Sequence, residues 1–380
     1  MYPINLKFII LILFTINLEA AIFKPQDNDI VLQLTTTEQR QNIRKLQQQF
    51  NQNTNNLALA LQLAKQYITL SETEGASRYQ GYAQAVLKRW WHLQQAPVSV
   101  LLIRANLHQK QHKFKRALND LSQILKAQPR HAKALFKRAF IYRTLGQTDL
   151  AIQDCRQLNR LMPSTIVSLC YHSMISLQGK AQQAVQQLKL LITKMKDKPL
   201  QQWILTELAE ISLRLGRNKQ ANQYFNQALN INHQDLYLEN SYADFLLRQH
   251  QPEKVIRLFQ QRAKKIPALR LRIALALQQQ NQDFSQDSLY LANYFALESA
   301  RQSSLHALDK ARFLLMLKKQ PKKAFILAQQ NWQIQKEPLD SLIYLQAALA
   351  SHQKAPLVRQ WIIQHQLEDV RIKQLLDHLK

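Results

Sequence analysis

Residues Val98 to Pro163 read VSVLLIRANLHQKQHKFKRALNDLSQILKAQPRHAKALFKRAFIYRTLGQTDLAIQDCRQLNRLMP and contain the clearest repeat of the chain. Within it Ala117 precedes Pro129 by 12 residues, and Ala151 precedes Pro163 by the same 12 residues. Both markers therefore recur after 34 residues, the length of a common helix–turn–helix repeat. Proline is tolerated between two such units because it lacks a backbone N–H and cannot continue a helix.

The same period extends along much of the chain. Prolines mark the junctions at intervals of 32, 34, 36 and 68 residues, at Pro97, Pro129, Pro163, Pro199 and Pro267. Three glycines each precede an alanine by five residues, namely Gly146, Gly179 and Gly216. Such a glycine ends a first helix as a left-handed C-cap, and the small alanine lets the second helix approach closely. The pattern predicts an all-α fold, a right-handed superhelical solenoid of tetratricopeptide-like helix hairpins.

Two arginines depart from the usual repeat pattern. Arg104 and Arg138 stand where leucine is common, and we interpret them as weakening single repeats without changing the register. The composition agrees with a helical solenoid, since 380 residues contain 5 Gly and 11 Pro among many helix formers. A solenoid grows by adding repeats, so its length reflects the number of repeats and not the number of globular domains.

We expect five segments along the chain. They are a signal peptide (1–20), an extended N-terminal segment (21–36), irregular N-terminal helices with the first repeat (37–97), core tetratricopeptide repeats (98–267), and divergent C-terminal repeats with a capping helix (268–380).

The N-terminus has the features of a secretory signal peptide. A basic start with Lys7 precedes a largely apolar run of 11 residues from Phe8 to Leu18, and small residues end it. A membrane-spanning helix needs about 20 apolar residues, so this run is too short. We expect cleavage near Ala20 or Ala21, no transmembrane span in the mature chain, and a periplasmic or secreted location. Retention as an uncleaved anchor is the alternative.

Three segments resemble those of exported tetratricopeptide-repeat proteins of Gram-negative bacteria: Tyr79–Ala85 (YQGYAQA), Ala328–Pro338 (AQQNWQIQKEP) and Leu367–Arg371 (LEDVR). The resemblance covers nearly the whole mature chain. It implies a periplasmic or secreted helical solenoid, and it implies no established activity.

The sequence contains no motif that indicates a catalytic site. The five glycines are scattered, which disfavours phosphate-binding loops, and neither G-x-S-x-G nor H-E-x-x-H occurs. His108 and His112 lie one helical turn apart, but no third ligand is placed nearby, so we interpret them as solvent-facing. We predict that the chain is not an enzyme and holds no cofactor or metal. An active site in this chain would require residues from several repeats that meet in the groove.

The tandem Trp90-Trp91 allows two interpretations. The pair is either a ligand platform or the cap of a terminal hydrophobic core, and we favour the cap because bulky aromatics at a helix end usually serve that role.

The net charge is strongly positive. Lys and Arg number 51 against 25 Asp and Glu, which gives a formal charge of +26. Such a charge attracts nucleic acid, anionic lipid head groups or acidic polysaccharide. In an exported protein we expect no nucleic acid partner. The alternative to an anion-binding surface is that basic residues cover the outer faces of the helices and keep the protein soluble. In that case the cluster of four lysines only marks an exposed turn: Lys318, Lys319, Lys322 and Lys323.

The two cysteines are placed to meet. Cys155 lies eight residues before Pro163 and Cys170 seven after it, so in antiparallel helices both sulfurs fall at nearly the same height. Export to an oxidising compartment favours a Cys155–Cys170 disulfide, and two buried free thiols are the alternative.

The concave face of the solenoid is the predicted binding surface. First helices should line it, and the residues expected to face a partner are Lys133, Phe136, Lys137, Phe140 and Arg143, then Trp203, Glu207 and Glu210, and then Tyr237, Asn240 and Asp244. Phenylalanines flanked by cations suit a peptide with apolar and acidic side chains, and the later residues give a more acidic lining. The alternative for Phe136 and Phe140 is that they fill the seam between repeats.

Two functions of different class follow. The first is an exported scaffold that binds a protein or peptide partner in the concave groove. The second is a basic envelope protein that binds anionic polysaccharide or lipid head groups through its outer surface. A steep loss of binding with salt would favour the second.

Overall fold

A computed structural model describes residues 38–300 and 306–379. The predicted signal peptide and extended segment, residues 1–36, lie outside the described residues. The chain forms two compact units, residues 1–45 and 46–380, and the described part of the first is the start of helix α1.

The described residues form 21 α-helices and no strand. The helices are α1 Glu38–Gln52, α2 Leu57–Glu74, α3 Arg78–Val86, α4 Lys88–Trp91, α5 Val98–Lys110, α6 Phe114–Ala127, α7 Ala132–Thr144, α8 Thr148–Gln157, α9 Ser164–Ile175, α10 Ala181–Thr193, α11 Lys198–Arg214, α12 Asn218–Ile231, α13 Leu236–Arg248, α14 Pro252–Ala263, α15 Pro267–Gln279, α16 Ser285–Ala300, α17 Ala307–Arg312, α18 Pro321–Ile334, α19 Pro338–Ala350, α20 Pro356–His365 and α21 Val370–His378. A π-helical turn, Phe313–Leu317, continues α17.

Within residues 46–379 the helices alternate as hairpins. Each pairs a first helix (α2, α5, α7, α9, α11, α13, α15, α17 or α19) with a second helix, and α21 follows the last pair. The predicted all-α solenoid of helix hairpins is confirmed. The alanines that follow the marker glycines are fully buried, as close packing of the two helices requires: Ala151, Ala184 and Ala221.

The first helix of every described hairpin ends in a left-handed residue. These residues are Gly75, His112, Gly146, Gly179, Gly216, His250, Asn281, Lys319 and His352. They recur every 31 to 38 positions, so this backbone conformation marks each repeat even where proline and glycine are missing. The left-handed residue turns the chain into the second helix and satisfies carbonyl groups at the end of the first.

Two ion pairs repeat with the same period as the hairpins. The Arg104 guanidinium contacts both carboxylate oxygens of Asp120 at 2.7 to 3.1 Å, and Arg138 contacts Asp154 at 2.7 and 2.8 Å. Both acidic side chains are buried in second helices. The interpretation of these arginines as weak points is therefore wrong, because each is paired across its own hairpin.

The C-terminal segment returns to the ends of earlier hairpins. The Lys336 amide donates to the Thr144 carbonyl at 2.7 Å, and the Ala181 amide donates to a Glu368 carboxylate oxygen at 2.7 Å. A Cβ atom added at Gly146 would lie only 2.9 Å from Nε1 of Trp361. These contacts place the last hairpins beside the ends of α7 and α9.

The marker glycines explain how this approach is possible. A Cβ atom at Gly179 would lie 2.9 Å from Gln366, and one at Gly216 would lie 3.4 Å from Val370. Glycine therefore stands where a left-handed residue also meets the C-terminal segment.

Candidate ligand-binding cavity

A cavity of about 780 Å³ lies between the first helices and the C-terminal segment. Its wall is formed by residues of α5, α7, α11 and α13 on one side and by residues of α19 and α21, among others, on the other. The volume falls within the range of about 300 to 1,000 Å³ typical of ligand sites. It is therefore the candidate site among the described residues.

One part of the wall is aromatic. The Trp203 ring packs against Phe140 with ring centres 5.2 Å apart and against Phe136 at 5.6 Å. Phe140 and Trp203 face the cavity, whereas Phe136 lies behind them and is partly buried against the core. The two phenylalanines therefore have different roles. Phe140 lines the cavity, whereas Phe136 packs behind it and supports its wall.

A group of carboxylates with one arginine follows the aromatic part. Arg143 donates to Glu207 at 2.8 Å, and its Nε lies 3.5 Å from a Glu337 oxygen. Glu210 accepts hydrogen bonds from the Tyr237 hydroxyl and the Ser241 hydroxyl, each at 2.9 Å. Three carboxylates therefore share a single guanidinium, and this part of the wall carries excess negative charge.

The pKa of Glu210 reflects the excess of negative charge in this part of the wall. Burial and then the neighbouring Glu207 raise the pKa of the Glu210 carboxyl, against the opposing effect of Arg143. Tyr237 is 61% exposed, but protein surrounds the space into which it projects. Desolvation by the protein around the cavity, and then the neighbouring Glu210, raise the pKa of the Tyr237 hydroxyl well above its ordinary value.

The far part of the wall is basic. It carries Arg214 from the end of α11, Arg248 from the end of α13 and Arg371 from α21. Arg214 donates to the carbonyl and hydroxyl oxygens of Ser176, and Arg371 donates to Asp369. Nη1 of Arg248 is buried and has no hydrogen-bond partner among the described residues.

Asp244 does not extend the acidic lining as the sequence predicted. Its two oxygens accept hydrogen bonds from Arg272 at 3.0 Å and from Arg312 at 2.7 and 2.8 Å. Burial alone would raise the pKa of Asp244, but the two guanidinium groups outweigh burial and hold the pKa well below its usual range. Asp244 thus offers no free negative charge, and the acidic lining ends before it.

The remaining predicted groove residues do not line the cavity. Lys133 is exposed on α7, and Lys137 lies near Lys110 and Glu72 without lining the cavity itself. Burial, with Lys110, lowers the pKa of Lys137. Asn240 is partly buried, and its Oδ1 has no hydrogen-bond partner within the described chain.

Sequence reasoning missed the residues that the C-terminal half and the helix ends supply. These are chiefly Glu337, Arg371, Arg214 and Arg248. The glycine spacing carried a signal, because glycine at three left-handed corners marks the places where another segment lies close.

The interpretation of His108 and His112 as solvent-facing is wrong. His108 is buried, with its ring centre 5.6 Å from that of Trp91, and its Nε2 lies 3.9 Å from Asp120. His112 stacks on Phe114 and borders the cavity. The described residues contain no group of three or more side chains able to hold a metal ion.

His112 should make stability depend on pH. Burial, and then His306, lowers the pKa of His112 to about 4, whereas an unfolded histidine titrates near 6.5. Between these values the unfolded chain binds the proton and the folded chain does not. Stability is therefore full above about pH 6.5 and falls as the pH drops towards 4, by about 2 kcal/mol between pH 7 and pH 5.

The matched variant is His112→Asn, because asparagine tolerates the left-handed backbone at this position, φ 54°. Urea unfolding at pH 7 and pH 5 should show a smaller acid loss for this variant than for the unchanged chain. Equal losses in the two proteins would assign the acid sensitivity to other groups.

The two cysteines are joined in the structure. Cys155 of α8 and Cys170 of α9 form a disulfide with 5.7 Å between their Cα atoms, and both are fully buried. Nearby in the chain, Trp91 is buried and Trp90 packs against the core, as expected of a terminal core cap. Neither tryptophan lines the cavity.

Family comparisons agree with this architecture. Residues 132–165 and 204–235 match the tetratricopeptide repeat family, and residues 27–147 match the ARM repeat of tetratricopeptide repeat protein 21. Two of the hairpins, α7–α8 and α11–α12, therefore match tetratricopeptide repeats. No curated protein sequence matches it. No helix in the described ranges is long and apolar enough to cross a bilayer.

Solved structures of repeat proteins are similar to this chain. A tetratricopeptide repeat protein from Parabacteroides merdae is 18% identical, with a TM-score of 0.46, over 62% of this chain and 91% of that one. A Rap protein complexed with Competence and Sporulation Factor is 15% identical, with a TM-score of 0.49, over 78% and 92%. A thermophilic protein of this class from Thermus thermophilus is 21% identical, with a TM-score of 0.40, over 50% and 97%.

Proposed function

We propose that this tetratricopeptide-repeat chain is a scaffold that binds a segment of a protein partner in the 780 Å³ cavity. The observation that carries the proposal is the lining, which combines an aromatic pair with charged groups in one concave site. Ligand sites of proteins commonly join apolar surface for affinity to a few polar groups for orientation.

The wall indicates which partner chemistry fits. Phe140 and Trp203 offer aromatic surface to an apolar side chain, which gains about 1.5 to 3 kcal/mol when fully buried. Glu207, Glu210 and Glu337 lie next to this surface with Arg143 as their shared cation. A partner segment that carries an apolar residue beside a lysine or arginine is therefore complementary to this part of the cavity.

Tyr237 provides a test that leaves the core untouched. A photoreactive p-benzoylphenylalanine at position 237 should cross-link to a partner in cells, because this side chain projects into the cavity. The cross-linked segment is then mapped, made as a peptide and titrated against the purified chain. We expect this peptide to bind and to block further cross-linking at position 237.

Leu190 is the matched control position. It is 60% exposed on α10, close to the 61% of Tyr237, but it does not line the cavity. The same photoreactive residue at 190 should give no adduct with the mapped segment. Equal adducts at both positions, or a mapped peptide that fails to bind the purified chain, would contradict the cavity as the binding site.

We also propose that the chain acts outside the cytoplasm. The N-terminal pattern of basic, apolar and small residues and the buried pair Cys155 and Cys170 support export, because disulfides persist in oxidising compartments. The mature protein recovered from the envelope or medium should begin near Ala21. Recovery of an intact Met1 there would contradict cleavage.

The outer surface supports the second function. Lys318, Lys319, Lys322 and Lys323 are all exposed around the turn before α18. Many acidic side chains are instead buried against arginines, so the excess charge of the chain lies mainly outside. Binding to an anionic polysaccharide would fall steeply with salt, whereas the cavity-bound peptide should lose less affinity because part of its binding is apolar.

A further inference from the structure

We propose that the basic end of the cavity, formed by Arg214, Arg248 and Arg371, is a binding site for an oxyanion, either a carboxylate or a phosphate group. The inference rests on the proposed role of the cavity as a ligand site and adds the chemistry of its second contact. Guanidinium groups bind both kinds of oxyanion through paired hydrogen bonds.

Arg248 is the first observation. It stands at the end of α13 and borders the cavity, yet its Nη1 is buried without a hydrogen-bond partner in the described chain. Nearly all buried polar groups in proteins are paired, so an unpaired guanidinium nitrogen at a cavity wall calls for a ligand. Burial and then the charge of Arg371 lower the pKa of Arg248 to about 10, which shows how poorly the cation is compensated.

The neighbouring arginines are fixed by partners that leave donors available. Both terminal nitrogens of Arg214 are held by Ser176, at 2.7 and 2.8 Å. The Asp369 carboxylate accepts hydrogen bonds from Nε and Nη2 of Arg371. Nη1 of Arg371 takes part in neither of these hydrogen bonds. Arg371 acts electrostatically on both Arg214 and Arg248, so its guanidinium group lies near each of the other two.

The nearby carboxylates are already engaged. Asp244 is held by Arg272 and Arg312, Asp309 contacts Arg272 at 2.8 Å, and Asp369 is held by Arg371. Counting these side chains with Arg214 and Arg248 gives five arginines against three aspartates. A further carboxylate, Glu207, also acts on Arg214 but is held by Arg143. Apart from that pair, this group has two uncompensated positive charges, which one bound oxyanion would offset.

Arg248→Gln is the decisive variant, and the probes are inorganic phosphate and glutarate at constant ionic strength in chloride. At a probe concentration of ten times the dissociation constant, we expect the Tm of the unchanged chain to rise by about 2 °C. The variant should bind the same probe at least about tenfold more weakly by calorimetric titration. In chloride alone it should be at least as stable as the unchanged chain, because an unpaired buried charge has been removed.

Arg359→Gln is the matched control, since Arg359 is an exposed arginine of α20 away from the cavity. It should keep the response of the unchanged chain to the probes. Equal Tm increases in the unchanged chain, Arg248→Gln and Arg359→Gln would reveal a general salt effect and overturn the site. If Arg248→Gln does not fold, Arg248→Lys keeps the charge but loses the paired geometry and should show the same weaker binding.

The two probes distinguish the sources of the oxyanion. A response to phosphate alone assigns a phosphate group, a response to glutarate alone assigns a carboxylate, and a response to both supports a general oxyanion site. Absence of binding of either probe to the unchanged chain at 50 mM, roughly the weakest range that titration resolves, overturns the proposal. Neither probe is a peptide, so this result is independent of the cross-linking at position 237.

Discussion

Replacing Asp244 by asparagine should lower the free energy of unfolding by about 3 to 5 kcal/mol, because it removes one partner of a buried charge network. Asp244 is 8% exposed and is the shared acceptor for Arg272 and Arg312, which are 3% and 4% exposed. After the change both guanidinium groups remain buried, and Asp309 is the one carboxylate of the described residues that still contacts both of them. Urea unfolding followed by circular dichroism measures the loss.

The pH dependence of this network has a definite sign. The two arginines hold the pKa of Asp244 below its unfolded value, so the folded chain releases this proton more readily. The stabilisation is complete above about pH 4 and decreases as the pH falls below that value. Asp244→Asn should lose this acid-sensitive contribution.

Asp377→Asn is the control for the aspartate change, because Asp377 is exposed on α21. Its effect should be within about 0.5 kcal/mol. A loss of similar size in both variants, or a negligible loss for Asp244→Asn, would show that the Asp244 network contributes little to stability.

The hairpins could be predicted from the sequence because their signals are local. Proline at junctions, alanine in second helices and glycine at corners each act within one repeat, and Pro163 or Ala151 needs no distant partner to specify its helix end. Even after Pro267, where the spacing loosens, α19 and α20 follow from local helix signals.

The cavity could be predicted only in part. Phe140, Trp203 and Glu207 come from first helices, and the hairpin register alone places them on the concave side. The opposite wall depends on contacts between distant residues, such as the 193 residues that separate Thr144 from Glu337. Small rotations between successive hairpins add up over that distance, and no local pattern fixes their sum.

The ion pairs within the hairpins were also not predicted from the sequence. Taken singly, Arg104 and Arg138 depart from the repeat pattern, in which leucine is common at this position. Asp120 and Asp154 recur at the same 34-residue interval, so the pairs could have been found by comparing charges across each hairpin. In these two hairpins the arginine of the first helix is explained by an aspartate of the second helix.

Removing the Cys155–Cys170 bridge should cost about 3 kcal/mol of stability, the value expected for a closed loop of about 15 residues. The bond joins the second helix of one hairpin, α8, to the first helix of the next, α9, and therefore fixes the junction at Pro163 in the unfolded chain as well. We expect the double change Cys155→Ala and Cys170→Ala to shift urea unfolding by about this amount.

Reduction provides the internal control for the bridge. Dithiothreitol should destabilise the unchanged chain by a similar amount and leave the double alanine variant unaffected, because only the former has a bond to break. Both cysteines are fully buried, so reduction requires partial unfolding before the reagent reaches the sulfurs. Alkylation of the fully unfolded, unreduced protein should label neither cysteine. Two labelled cysteines in protein isolated from its own compartment would show that the thiols are free there, and the stability assigned to the bridge would then be absent.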